Sequence, residues 1–250
     1  MRGLESPRDA RRKEIVDNYM PKEGNIVKGG SYMKRILAGL AMLGIWAAVA
    51  APPEMSNMLT AKEKSEGWML LFDGKSLNGW TRTGKAEWNV KDGAIALHSD
   101  DNGNLFTNDT YDNFQLKLEF RTTPDVNSGV YLRYTPAQPN AKKEGGGMPG
   151  YEVQIRENDK RALKDSAAGF DTGSLVGVMK ADSAEILDGQ WNRFEITAQG
   201  DHFVVVYNGK TILDGHDSKH ASGKIGLQWA THSVTGKGIE FRNIKVKRLS

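Results

Sequence analysis

FQLKLEFR at residues 114–121, GVYLRY at 129–134 and YEVQIR at 151–156 alternate apolar with polar side chains. That period of two decides the fold class. Successive strand side chains point to opposite faces of a sheet, so Phe114, Leu116, Leu118 and Phe120 face one way while Gln115, Lys117, Glu119 and Arg121 face the other. Tyr131 and Arg133 oppose Val130, Leu132 and Tyr134, and Glu152, Gln154 and Arg156 oppose Tyr151, Val153 and Ile155. If the three strands are sheet neighbours, Glu119, Arg121, Arg133, Glu152 and Gln154 gather on one polar surface, the candidate site.

Further short β-rich runs lie on either side, at residues 88–90, 94–97, 191–198, 203–207, 224–229 and 239–247. Asn208-Gly209, between Val204–Tyr207 and Thr211-Ile212-Leu213, is a strong two-residue hairpin signal, and Asp92-Gly93 is a weaker one. Many short strands, 28 glycines and no long helical period predict an all-β protein, an antiparallel sandwich rather than an α/β enzyme. Gly145-Gly146-Gly147 and residues 161–188 read as long connections flanking the strand at 151–155, where loops of that length are commonly functional.

The folded domain is expected over residues 66–250. Residues 33–50 have the form of a secretory signal peptide: Lys34-Arg35, an uncharged run from Ile36, and the small-residue step Ala48-Val49-Ala50. The run is shorter than the roughly 20 residues of a membrane span, so cleavage after Ala50 and a periplasmic or secreted product, without stable membrane insertion, are expected. Residues 1–32 read as an upstream leader produced by a translation start placed too early, Met33 being the expected start. Residues 51–65 read as a linker. Residues 1–50 hold nine of the 34 Lys+Arg and five of the 31 Asp+Glu, leaving 25 against 26. A near-neutral domain gives no electrostatic case for nucleic acid or an anionic membrane. With no cysteine, disulfides, thiolate catalysis, Cys-ligated metal and lipoprotein acylation are all ruled out.

Each motif has a bland reading beside the functional one. Glu119 and Glu152 can be members of ordinary cross-strand ion pairs with Arg121 and Arg133 on a solvated sheet face. They can equally be carboxyls whose pKa values the cluster shifts for acid and base work. Asn127-Ser128-Gly129 can be a turn, or can present hydrogen-bonding groups to a polyhydroxylated ligand. Trp68, Trp80, Trp88 and Trp191 read as core anchors. His216 and His220 have i, i+4 spacing but lie in a polar stretch, and no phosphate loop, nucleophile elbow or zinc-protease motif is present. No cofactor is evident, and a divalent metal stays open.

GWMLLFDGKSLNGW at 67–80, NFQLKLEFR at 113–121, NSGVYLR at 127–133, GYEVQI at 150–155, GQWNRFEI at 189–196, GKIGLQ at 223–228 and FRNIKVKRL at 241–249 together resemble the 3-keto-disaccharide hydrolase family. The resemblance spans residues 66–250 and implies a concanavalin A-like jelly-roll sandwich of two antiparallel sheets, with its site on a concave face. Carried over position by position, it selects Glu119 and Arg121, Asn127 and Ser128, Arg133, Glu152, Gln154 and Gln228. The family often places an Asp-His-Gly run after Leu-Gln, whereas Trp229-Ala230-Thr231-His232 stands here; His232 is carried as a candidate on the same rim. The implied substrate is a small 3-keto-glycoside, whose C3 ketone acidifies the C2 proton. Glu119, Glu152 and Arg121 are the catalytic candidates; the others are substrate-binding candidates. Proton abstraction, elimination and hydration is the expected route, with direct two-carboxylate hydrolysis beside it. A non-catalytic carbohydrate-binding module and an envelope interaction domain are the competing readings.

Overall fold

Apolar residues at alternate positions bury one face of nearly every strand, and the chain meets that demand by closing two sheets over one core. The computed structural model describes residues 56–124, 126–136, 148–156, 170–182, 184–230 and 238–250. The expected leader and signal peptide, Gly145-Gly146-Gly147, His232 and part of the 161–188 connection lie outside the described residues. Among the described residues, a five-residue helix, α1 (Ala61–Ser65), precedes thirteen strands. These are β1 (Met69–Leu70), β2 (Trp80–Gly84), β3 (Asn89–Lys91), β4 (Ala94–Leu97), β5 (Gly103–Thr107), β6 (Phe114–Thr122), β7 (Asn127–Tyr134), β8 (Tyr151–Arg156), β9 (Asn192–Gln199), β10 (His202–Tyr207), β11 (Lys210–His216), β12 (Lys224–Trp229) and β13 (Ile239–Arg248).

The larger sheet runs β11-β10-β9-β6-β13-β4-β3, with β1 also paired to β13; the smaller runs β2-β5-β12-β7-β8. Every strand pairing among the described residues is antiparallel. Leu116, Leu118 and Phe120 from the larger sheet meet Val130, Leu132, Val153, Ile155 and Leu227 from the smaller in a single buried core. This is the all-β sandwich the alternation predicts. Both predicted hairpins form: Asn208 and Gly209 adopt φ 46° and 85° between β10 and β11, and Asp92 and Gly93 adopt 50° and 75° between β3 and β4. Two consecutive left-handed residues match the twist of the flanking strands.

The linker expected over residues 51–65 ends earlier, because the chain is docked from Asn57 onward. Asn57 and Asn243 exchange backbone-to-side-chain hydrogen bonds of 2.5 and 2.9 Å, and Asn57 Nδ2 donates to the Gly93 carbonyl at 2.7 Å. Thr60 and Glu63 form a capping box on α1. Glu63 also pairs with Lys245 at 2.9 Å. No helix among the described residues is long and apolar enough to cross a membrane.

Candidate active site

Register places the polar side chains of the smaller sheet in rows. Glu152 is paired with Tyr131, Tyr131 with Gly226, and Gly226 with Phe106; in the next row Gln154 is paired with Gly129, Gly129 with Gln228, and Gln228 with Asn104. Directly paired residues share a sheet face, so all of these project away from the core. Gly129 floors the centre. A Cβ there would lie 2.4 Å from Glu152 Oε1, a separation no side chain tolerates, so the absence of one lets the carboxylate lean over β7 toward Gln228.

The Gln228 amide holds two partners at that point. Its Nε2 donates to the Tyr131 hydroxyl at 2.9 Å, and the side chain also hydrogen-bonds the Glu152 carboxylate. Among the described residues, its Oε1 and the Oδ1 of Asn127 are buried acceptors without a partner. Buried carbonyl oxygens left unpaired are uncommon and costly, and a ligand bearing hydroxyl groups would satisfy both. Glu152 is 4% exposed. Burial pushes its carboxyl up to about 7, opposed by the Gln228 hydrogen bond. Among the described residues it has no ion-pair partner. A buried carboxyl pushed toward neutrality beside polar side chains is suited to taking up and returning a proton.

The edge strand β8 is held from both sides. On one it pairs with β7; on the other, Gly173 N donates to the Gln154 carbonyl at 2.9 Å, Gln154 N to the Ser174 carbonyl at 3.0 Å and Val176 N to the Glu152 carbonyl at 2.9 Å. The described part of the long connection thus pairs with the exposed edge of β8 and fixes the backbone of Glu152 and Gln154. Gln154 is buried, its Oε1 accepting from Ile155 N at 3.2 Å.

An aromatic group adjoins the carboxylate. Phe106 stacks on Tyr131 and Tyr134 with ring centroids 5.5 and 5.1 Å apart, and Tyr131 and Tyr134 pack tilted at 4.3 Å. Gly226 admits them, since a Cβ there would sit 2.5 Å from Phe106 and 3.1 Å from Tyr131. Sequence reasoning missed Tyr134 and Phe106. Residue 134 changes face because Arg133 sits at φ 48° in a register shift opposite β12, and β5 is a short, Gly- and Asn-containing strand without alternation.

Four sequence candidates lie elsewhere. Glu119 and Arg121 belong to β6 in the larger sheet and face outward there. Glu119 pairs with Arg242 at 2.6 Å and Arg121 with Glu240 at 2.5 Å, while both arginines stack on Trp191 at 4.0 and 4.8 Å. The two glutamates therefore look away from each other across two sheets, and face-to-face sheets pack about 10 Å apart. That geometry excludes them as an acid–nucleophile or acid–base pair, which needs about 5–9.5 Å. Trp191, expected in the core, is instead a stacking plate on this outer face. Arg133 is turned inward by the bulge and buried: it donates to the carbonyls of Asp112 (2.7 Å), Gly200 (2.7 Å) and His220 (3.1 Å) and to Asn113 Oδ1 (3.4 Å). It ties the sandwich end together. Ser128 shares the core side with Ile155, and its hydroxyl donates to the Gln228 carbonyl. The site thus retains Glu152, Gln154, Asn127 and Gln228 from the expected set and gains Tyr131.

A family model described as a 3-keto-alpha-glucoside-1,2-lyase-like domain matches residues 67–247. A curated Bacteroides thetaiotaomicron protein named 3-keto-disaccharide hydrolase is 27% identical over 174 residues, 61% of this chain and 59% of that protein. The match therefore spans less than two thirds of the relative. A Parabacteroides distasonis structure, provisionally described as a glycosyl hydrolase, superposes with a TM-score of 0.64 at 23% identity, covering 78% of this chain and all of that one. The winged bean acidic lectin, solved with methyl-alpha-D-galactose, superposes at 0.51 with 13% identity over 72% of this chain and 96% of that one. These two likenesses establish the sandwich fold.

Proposed function

Because the chain belongs to the family of 3-keto-alpha-glucoside-1,2-lyase-like domains, we propose that it is an exported carbohydrate-active enzyme that cleaves the glycosidic bond of 3-keto-disaccharides or 3-keto-glucosides. The observation that carries this reading is Glu152, a buried carboxyl pushed up to about 7 and hydrogen-bonded to Gln228, whose Oε1, like Asn127 Oδ1 on the same face, has no partner among the described residues. The name of the Bacteroides relative supports the substrate class, and the signal-peptide pattern of residues 33–50 supports export.

The chemistry follows from the ketone. Ionised Glu152 takes the C2 proton, the C–H electron pair becomes a C2–C3 double bond, and the carbonyl π pair moves onto O3. The enolate then collapses: C3=O re-forms, a C1–C2 double bond forms, and the C1–O bond breaks. The departing oxygen takes its proton from the now neutral Glu152. Water adds its oxygen to C1 and a proton to C2, so the sum is hydrolysis. Asn127 Oδ1 and Gln228 Oε1 accept from sugar hydroxyls and fix the ring over Gly129.

A second reading, a carbohydrate-binding module, is favoured by the lectin-like sandwich and would use the same acceptors without turnover. Incubation of the mature domain with 3-keto-trehalose, 3-keto-sucrose and aryl 3-keto-glucosides, alongside the unoxidised sugars, separates the two. Release of the leaving group from keto sugars alone is expected. Binding of those sugars without release would establish the module instead.

A further inference from the structure

Enolate formation places negative charge on O3, and the expected stabiliser was arginine. Arg121 faces outward on the larger sheet and Arg133 is engaged by four acceptors, so neither reaches Glu152. Tyr131 has a hydrogen to give on the same sheet face. It is paired directly with Glu152 across β7 and β8. Its hydroxyl oxygen accepts from Gln228 Nε2 at 2.9 Å, which turns the phenolic hydrogen away from Gln228, and among the described residues that hydrogen has no acceptor. Its ring is clamped by Phe106 and Tyr134 above Gly226, so the hydroxyl is held in place before substrate arrives.

We propose that the Tyr131 hydroxyl is a catalytic hydrogen-bond donor to O3 of the keto sugar, stabilising the enolate that Glu152 generates. This rests on the 3-keto-glycoside reading above. No proton is transferred in this step: the phenol donates a hydrogen bond that strengthens as charge develops on O3, and it relaxes when C3=O re-forms. The same chain gives Gln228 a positioning role, since one amide holds both the base and the donor. Burial and the neighbouring Glu152 charge raise the phenol well above its ordinary range, so it stays protonated across the working pH.

The test is Tyr131→Phe, which removes one oxygen and leaves the stacked ring. Two readouts are taken on a 3-keto-glycoside: leaving-group release, and exchange of the C2 hydrogen for deuterium in D2O followed by NMR. Loss of one preorganised donor of this type costs about 10²–10³ in rate, and that fall is expected in kcat and in C2 exchange together, with KM changed less than about threefold. A circular dichroism spectrum and melting temperature equal to wild type exclude a folding cause. Variant kcat and exchange within about threefold of an active wild type overturn the inference and leave the proposed function standing. Neither release nor exchange by the wild type overturns both. If Tyr131→Phe melts early, Gln228→Glu, which keeps the side-chain length but replaces the donor to Tyr131 and Glu152, must slow C2 exchange in a folded protein, and unchanged exchange overturns the inference.

Discussion

Glu152→Gln stabilises the protein above neutral pH while abolishing turnover. The carboxyl moves from an ordinary 4.5 to about 7 on folding, and at about 1.4 kcal/mol per unit the ionised form costs the fold roughly 3 kcal/mol. The sign follows from the order of ionisation. As pH rises from 4.5 the unfolded chain releases this proton first, so the wild type loses stability from about 4.5 up to about 7 and none from this group beyond. Glutamine carries no charge at any pH. The variant should match the wild type near pH 4.5 and exceed it by roughly 3 kcal/mol at pH 8, or about 6–12 °C in melting temperature for a domain of this size. Urea denaturation of both proteins at pH 4.5, 6 and 8 measures the difference directly. A difference independent of pH, or a variant less stable at pH 8, refutes the burial argument for Glu152.

Four further outcomes follow from the same geometry. On a 3-keto-glycoside, kcat should rise about tenfold per pH unit below an inflection near 7, because the base must be ionised, and should level above it; an inflection near 4 contradicts this. Gly129→Ala puts a Cβ 2.4 Å from Glu152 Oε1, and should cost about 1–3 kcal/mol by denaturation and at least tenfold in activity. Glu119→Gln should leave kcat within about threefold and cost about 1 kcal/mol or less, since its partner Arg242 keeps the Trp191 stack. Arg133→Met removes the donor to the carbonyls of Asp112, Gly200 and His220 at the sandwich end, while Asn113 Oδ1 keeps Gly200 N, and should cost about 3–5 kcal/mol in thermal or chemical unfolding, with any folded fraction still active.

The alternation in residues 114–121 and 151–156 reveals the sandwich because parity reports which side of a strand faces apolar neighbours. Parity does not report which sheet a strand joins. β6 and β7 are consecutive, yet the residues after Thr122 carry no hairpin pair and the chain crosses through the buried Val126 to the opposite sheet. Glu119 and Arg121 left the site for that reason alone. Parity also fails at a bulge: Arg133, at φ 48°, exchanges places with Tyr134. Tyr131 was on the polar side of the sequence pattern, but a tyrosine beside a carboxylate carries no signal until register sets it opposite Glu152. Gly129 was legible only as part of a turn-like tripeptide, since its use depends on a side chain 23 residues away.

The central claim is that Glu152 removes the C2 proton. It is tested most directly by following deuterium exchange at C2 of a 3-keto-glycoside with wild type and Glu152→Gln, with ligand affinity measured in parallel by calorimetry. Exchange lost by at least about 10³-fold with affinity within about threefold is the expected result. Exchange that persists in the variant at the wild-type rate contradicts it.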